Sequence, residues 1–164
     1  PRSRGLGDVY KRQLLAIFFF FSTTLVNFTI PVESQITKLY INPAKLNILI
    51  GQSFLIEVCI ENVTNLYSWD IWVSFDPAVM NCTGAVEGPF LMTLGPTIWA
   101  STIDNENGTV HIGASLMGIP FGANGTGVLA CLNFTCISRG TSPVHLYDTK
   151  LMNSGTYFDR AYNS

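Results

Sequence analysis

Two histidines and four cysteines, with eleven acidic residues, are the side chains best suited to acid–base, nucleophilic or metal chemistry in this 164-residue chain. The histidines, His111 and His145, stand apart, and neither belongs to an H-E-x-x-H pair that would turn two imidazoles toward one zinc ion. Gly113-Ala114-Ser115-Leu116-Met117-Gly118 misses the G-x-S-x-G nucleophile elbow by one residue and lacks its strand-to-helix setting. Asp70 with Asp76, and Asp104 with Glu106, are carboxylate pairs of the kind a glycosidase uses, but sequence fixes no carboxyl separation and turn solvation accounts for them. Cys59, Cys82, Cys131 and Cys136 contain no C-x-x-C pair and no His lies close by, which argues against zinc. The glycines of Gly118 to Gly127 precede no helix and no Lys-Ser/Thr pair, so they cradle no phosphate. The scattered Asp and Asn residues make no calcium loop. The expectation is a protein without catalysis, metal or cofactor.

Recognition is the chemistry left. Nine basic and eleven acidic residues give a net charge of −2, with neither a basic stripe for nucleic acid nor a polybasic lipid patch. Six Asn-x-Ser/Thr sequons begin at Asn27, Asn62, Asn81, Asn107, Asn124 and Asn133, acceptors for N-linked sugar in an exported chain. Four cysteines, an even number, suit disulfides in the same setting and leave three connectivities open, with free buried thiols as the alternative.

These residues are carried by strands. Phe54, Ile56, Val58 and Ile60 alternate with Glu57 and Glu61, and Trp69, Ile71, Val73 and Phe75 alternate with Asp70, Trp72 and Ser74, the period of two that half-buried strands require. Trp72 therefore faces outward, where a large aromatic marks a contact surface. Short alternating runs recur near Lys38 to Asn42, Asn47 to Ile50, Met80 to Val86, Ile98 to Ile103, Thr109 to Leu116, Val128 to Ile137 and Pro143 to Tyr147. Turn residues separate them, the pattern of an all-β sandwich. Asp104-Asn105-Glu106-Asn107-Gly108 predicts a hairpin, and Pro89 to Gly95 predicts one turn of helix closed by Pro96.

Ahead of the sandwich, Pro1 to Gln13 reads as a translated sequencing adaptor, and residues 14–30 as an export signal or amino-terminal anchor, the one segment through which the chain would touch a membrane. Residues 36–164 are expected to form the single folded module, its last strand truncated.

The order of signals resembles the cohesin family, β-sandwich modules that hold dockerin-bearing enzymes in cellulosomes and also occur in exported archaeal proteins. The resemblance rests on Gly51-x-x-Phe54-x-Ile56-x-Val58-x-Ile60-x-Asn62-Val63 and on Leu66-Tyr67-Ser68-Trp69 leading to Phe75-Asp76-Pro77-Ala78-Val79-Met80. Further pieces are Val86-Glu87-Gly88-Pro89-Phe90, then Gly122 through Phe134, and Gly140-Thr141-Ser142-Pro143-Val144-His145-Leu146. Ser68 stands where the family usually has Gly.

That resemblance implies a two-sheet jelly roll of about nine strands. Its flatter sheet, of strands three, five, six and eight, receives the dockerin helices, and on it Asp70, Trp72, Ser74, His111, Ser115, His145 and Tyr147 would bind the partner. Its strand pairing implies disulfides Cys59–Cys131 and Cys82–Cys136. Asn133 would project in mid-strand from the opposite sheet, so that a glycan there leaves the Trp72 face open, while Asn62, Asn81, Asn107 and Asn124 would also be available for sugar. A secreted or cell-surface, non-catalytic scaffold module that binds a dockerin-like protein is the leading expectation. A carbohydrate-binding module using Trp72, Trp99, Tyr67 and Tyr147 on polysaccharide is the alternative, and a structural surface domain is the third.

Overall fold

A computed structural model describes residues 36–155. The expected adaptor, the export signal, the Asn27 sequon and the end of the chain from residue 156 lie outside the described residues. Among those described, no helix is long and apolar enough to cross a membrane.

Among the described residues seven strands and one short helix follow one another: β1 (Lys38–Asn42), β2 (Ser53–Ser74), β3 (Met80–Glu87), α1 (Pro89–Met92), β4 (Thr97–Asp104), β5 (Thr109–Leu116), β6 (Ala123–Cys136) and β7 (His145–Asn153). The 22-residue β2 takes in two of the strands expected from sequence. Its first half pairs with β1 on one edge and β6 on the other, and β6 pairs on with β3. Its second half lies between β7 and β5, with β4 beyond β5. All pairings between these strands are antiparallel, and they form one continuous seven-stranded sheet in which the shared β2 joins two four-stranded parts, β1–β2–β6–β3 and β7–β2–β5–β4, each called a sheet below.

How β2 changes sheets is visible in its side chains. Ile56, Val58 and Ile60 are buried at even positions, whereas Tyr67, Trp69, Ile71, Val73 and Phe75 are buried at odd ones. A shift of one residue moves a whole strand's apolar set to its other face. The change of parity is spread over residues 60–67, where Val63 and Leu66 are also buried and the pairing shifts register; Asn62 and Asn65 within it are at positive φ (55° and 57°), a conformation that asparagine adopts more readily than most residues. Asn65 fixes the corner: its Oδ1 accepts from Gly122 N at 2.7 Å, and its backbone N donates to Asn124 Oδ1 at 2.9 Å. The expected Asn62 to Ser68 connection is thus a bulged corner within one strand. Asn47 to Ile50 is not a strand, and Ala123 to Gly127, expected in a loop, opens β6.

The core lies between the two sheets. Val58, Ile60, Ile71, Val73, Val110, Ile112, Ala130, Leu132 and Phe134 have no exposed surface, and full burial of each large apolar side chain stabilises the fold by about 1.5–3 kcal/mol. Phe134 stacks on Phe54 at 5.8 Å between centroids and meets Phe75 edge-on at 5.2 Å. At the β4–β5 hairpin, Gly108 sits at φ +65°, and a Cβ there would come within 2.3 Å of the Phe75 carbonyl oxygen. Glycine is the residue that fits. Asp104 Oδ1 accepts from the Glu106 and Asn107 amides, each at 3.0 Å.

Candidate partner-binding face

The register brings all seven residues expected to bind a partner onto one surface, the outer face of β7–β2–β5–β4. Tyr147 of β7, Trp72 of β2, His111 of β5 and Thr102 of β4 lie in one row across the sheet. His145, Ser74, Thr109 and Asp104 form the row below it. Lys150, Asp70, Gly113 and Ala100 form the row above, followed by Met152, Ser68, Ser115 and Ile98.

Aromatic stacking organises the centre. The Trp72 indole lies against the His111 imidazole at 4.3 Å with 9° between the planes, and Tyr147 leans on its other side at 6.1 Å and 39°. Such contacts contribute about 0.5–1.5 kcal/mol each beyond area burial and hold the rings in place before a partner arrives. His111 Nε2 is 2.8 Å from Asp70 Oδ2, and Lys150 Nζ approaches Asp70 Oδ1 at 3.9 Å. One carboxylate thus fixes the imidazole's orientation and draws in a cation. These are partly solvated groups, whose ion pairs add little stability but set the local polarity.

Gly113 leaves the adjoining row without a side chain. A shallow groove of about 260 Å³ opens there, floored by Trp69 and Ala114 and bordered by Asp70, His111, Ser115, Ile98 and Met152. Ile98 is 58% exposed. An aromatic cluster beside an apolar notch, ringed by hydroxyls and a single ion-pair network, has the make-up of an interaction surface.

Ser68 forms part of that surface at the corner's end. It is not among the residues at positive φ, which explains why serine fits where the family usually has glycine, and its hydroxyl donates to the Ala114 carbonyl at 3.1 Å. Lys150, Ile98, Ala100, Thr102 and Gly113 were not anticipated on this face. The β4 members follow from alternation starting at Ile98. Lys150 does not, because β7 runs beyond Tyr147 through an irregularity at Asp148, at φ 42°.

Of the four rings considered for sugar binding, two point outward. Tyr67 is buried in the core, and Trp99 turns inward against Trp69 at 5.8 Å. Trp72 and Tyr147, 39° apart, do not form a flat platform, and His111 covers one face of the indole.

The two expected disulfides are corrected. Cys59, Cys82, Cys131 and Cys136 are free thiols. A bulge after Val58 sets Glu57, not Cys59, opposite Cys131 and puts Val128 opposite Cys59. On the core side, Cys82 faces Phe134 and Cys136 faces Met80. The members of each pair therefore lie diagonally across their strands rather than directly opposite. Burial, helped by the nearby Glu57 carboxylate, pushes the Cys59 and Cys131 thiols up, and burial does the same for Cys82. Neutral thiols are poor metal ligands. Among the described residues, no three His, Cys, Asp or Glu side chains converge on a metal site.

The remaining sequons lie off this face. Asn81 and Asn133 are on the outer side of β1–β2–β6–β3, opposite Thr135 and Gly84 respectively. Asn62 and Asn124 sit at the β2 corner and Asn107 in the β4–β5 hairpin.

A model of the cohesin domain matches residues 43–162 of the chain. Among solved structures, the second type II cohesin module from the adaptor ScaA scaffoldin of Acetivibrio cellulolyticus is similar with a TM-score of 0.61 at 15% identity, over 76% of this chain and 82% of that one. The sixth cohesin of scaffoldin B from the same organism, solved in complex with a mutant Cel5 dockerin, gives 0.60 at 18% identity, over 74% of this chain and 89% of its own. A non-cellulosomal cohesin from the hyperthermophilic archaeon Archaeoglobus fulgidus gives 0.55 at 16%, over 65% of this chain and 71% of that one. At these identities the solved structures speak for the fold. No curated protein matches the chain.

Proposed function

The chain belongs to the cohesin family, a family of protein–protein interaction modules, and from that premise we propose that it is an exported, non-catalytic module that docks a dockerin-like helix pair on the β7–β2–β5–β4 face. The observation that carries this reading is the convergence of Asp70, Trp72, Ser74, His111, Ser115, His145 and Tyr147 on that one surface, with Trp72 held between His111 and Tyr147. Trp72 and Tyr147 serve as the anchor, the groove at Gly113 takes an apolar or small side chain of the partner, and Asp70 with Lys150 sets register at the rim. Central aromatics surrounded by polar groups that exclude water are where binding energy concentrates.

The partner is a protein because the surface offers one clustered anchor and a hydroxyl-rich surround, whereas a polysaccharide chain calls for rings aligned along a face. The site is secreted or at the cell surface, in keeping with the apolar run at residues 14–30 and the sequons. The deciding experiment sets the refolded module against an array of dockerin modules, the exported proteins of the source organism and an array of polysaccharides. Retention of a dockerin-type or other exported protein, lost with Trp72→Ala, is expected. Polysaccharide retention without protein binding would favour the carbohydrate-binding alternative and overturn the proposal.

A further inference from the structure

We infer that Asn133 is an N-glycosylation site and that its sugar covers the outer side of β1–β2–β6–β3, the sheet turned away from the partner face. This rests on the export reading but not on docking. The sequon Asn133-Phe134-Thr135 lies in the middle of β6. Alternation sends Phe134 into the core, where it is fully buried, and puts Asn133 and Thr135 on one outer face. The acceptor amide and the hydroxyl that completes the motif thus project from the same side.

Space and hydrogen bonding favour this asparagine over the other four described. Across the ladder it meets Gly84, so Asn133 Nδ2 lies 3.8 Å from the position a Cβ would take and has no side chain against it there. Asn133 is exposed, and its side-chain amide has no hydrogen bond among the described residues. By contrast, Asn107 Nδ2 donates to Asp104 Oδ2 at 2.7 Å, and Asn124 Oδ1 is occupied by the Asn65 amide. Asn62 is held at positive φ in the corner, and Asn81 is half-buried. Among the polar Ser53, Glu57, Asn81 and Thr135 of that face lie two exposed aliphatic side chains, Leu55 directly opposite Asn133 on β2 at 44% and Val86 on β3 at 52%. The C–H faces of a sugar would cover these groups, which are poorly served by water.

The donor is a lipid-linked oligosaccharide. In the transfer, Asn133 Nδ2 forms a bond to C1 of the first sugar. The bond from C1 to the phosphate oxygen breaks, the isoprenoid phosphate leaves with the electron pair, and the amide nitrogen gives one proton to a base of the transferase. The product keeps one N–H and the carbonyl oxygen of the side chain, a neutral modification that leaves the strand's backbone ladder intact.

Peptide mass spectrometry of the full chain, exported from a host that N-glycosylates a control secreted protein, tests the inference. The Asn133 peptide should carry a hexosamine-based mass increment and, after amidase release in heavy-oxygen water, the Asp signature at position 133. Thr135→Val should abolish the increment, and Thr135→Ser, which keeps the hydroxyl, should retain it. A bare Asn133 beside a modified control protein overturns the inference, and so does an increment that survives Thr135→Val. Because the readout needs no partner, a module that binds its dockerin with Asn133 bare would defeat this inference alone.

Discussion

Replacing Trp72 by alanine removes the centre of the partner face without opening the core, because its neighbours Ile71 and Val73 are the inward residues and remain fully buried. In the free protein the change removes the His111 stack at 4.3 Å and the Tyr147 contact at 6.1 Å. At about 0.5–1.5 kcal/mol per aromatic contact, the total is roughly 1–3 kcal/mol, with the low end favoured on a solvated face. The unfolding midpoint of a domain this size should then fall by about 3–10 °C. Truncating an aromatic anchor at the centre of an interface costs about 2–4 kcal/mol of binding, a loss of roughly 30- to 700-fold in Kd at 1.4 kcal/mol per tenfold. Isothermal titration with the partner recovered from the array, well below the variant's midpoint, separates the two effects. Trp72→Phe should keep part of the stack and lose less than alanine. Leu55→Ala, on the opposite sheet, should bind as the parent does in unglycosylated protein. Binding by Trp72→Ala within about threefold of the parent, or a large loss in Leu55→Ala, would refute the assignment of the face.

Other consequences follow from the same geometry. Phe134→Ala removes the ring that meets Phe54 and Phe75 and should cost about 3–5 kcal/mol, a drop of about 10–25 °C in the thermal midpoint. Gly108→Ala forces a side chain into positive φ and toward the Phe75 carbonyl; chemical denaturation should register a loss of at least about 1–3 kcal/mol. The Asn107 side-chain amide, followed by its backbone N–H, holds the Asp104 carboxyl below its ordinary value. A depressed pKa stabilises above the unfolded value of about 3.9 and ceases to as pH falls through the folded one. Asp104→Ala should therefore flatten the acid limb of thermal stability below about pH 4. For Cys59, Cys82 and Cys131 the sign is reversed: thiols pushed up by burial contribute stability that is complete below about pH 8.5 and is lost at higher pH. Alkylation followed by mass spectrometry at neutral pH should reach the half-buried Cys131 before the buried Cys82.

Some of the site was legible in the chain because alternation is local. Trp69, Ile71, Val73 and Phe75 had to be inward if any of them was, so Asp70, Trp72 and Ser74 had to share the other face, and the same logic held for His111 with Ser115 and for His145 with Tyr147. Pro89 to Met92 closed a helical turn as its prolines and glycine indicated, and Asp104 to Gly108 made its hairpin. Lys150 was hidden by the irregularity at Asp148, which breaks the count by which alternation is read. The Cys59–Cys131 disulfide failed on the same ground: one bulged residue after Val58 moved the cysteines of β2 and β6 from opposite to diagonal positions. Bulges depend on how strands are drawn across the core, and no residue nearby announces this one.

The sequence by itself determined that this is a β-sandwich and, where a strand runs without a bulge, which side chains it turns outward, since a period of two is set by the backbone. The family likeness gave the order of the strands. Tertiary structure alone decided that residues 53–74 form one strand serving both sheets, that positive-φ asparagines at 62 and 65 switch its face, and that His111 stacks on Trp72 while Asp70 draws in Lys150. Those outcomes depend on distances between segments far apart in the chain. They are fixed only when both sheets close on a common core and each register is chosen by what the opposing strand can bury.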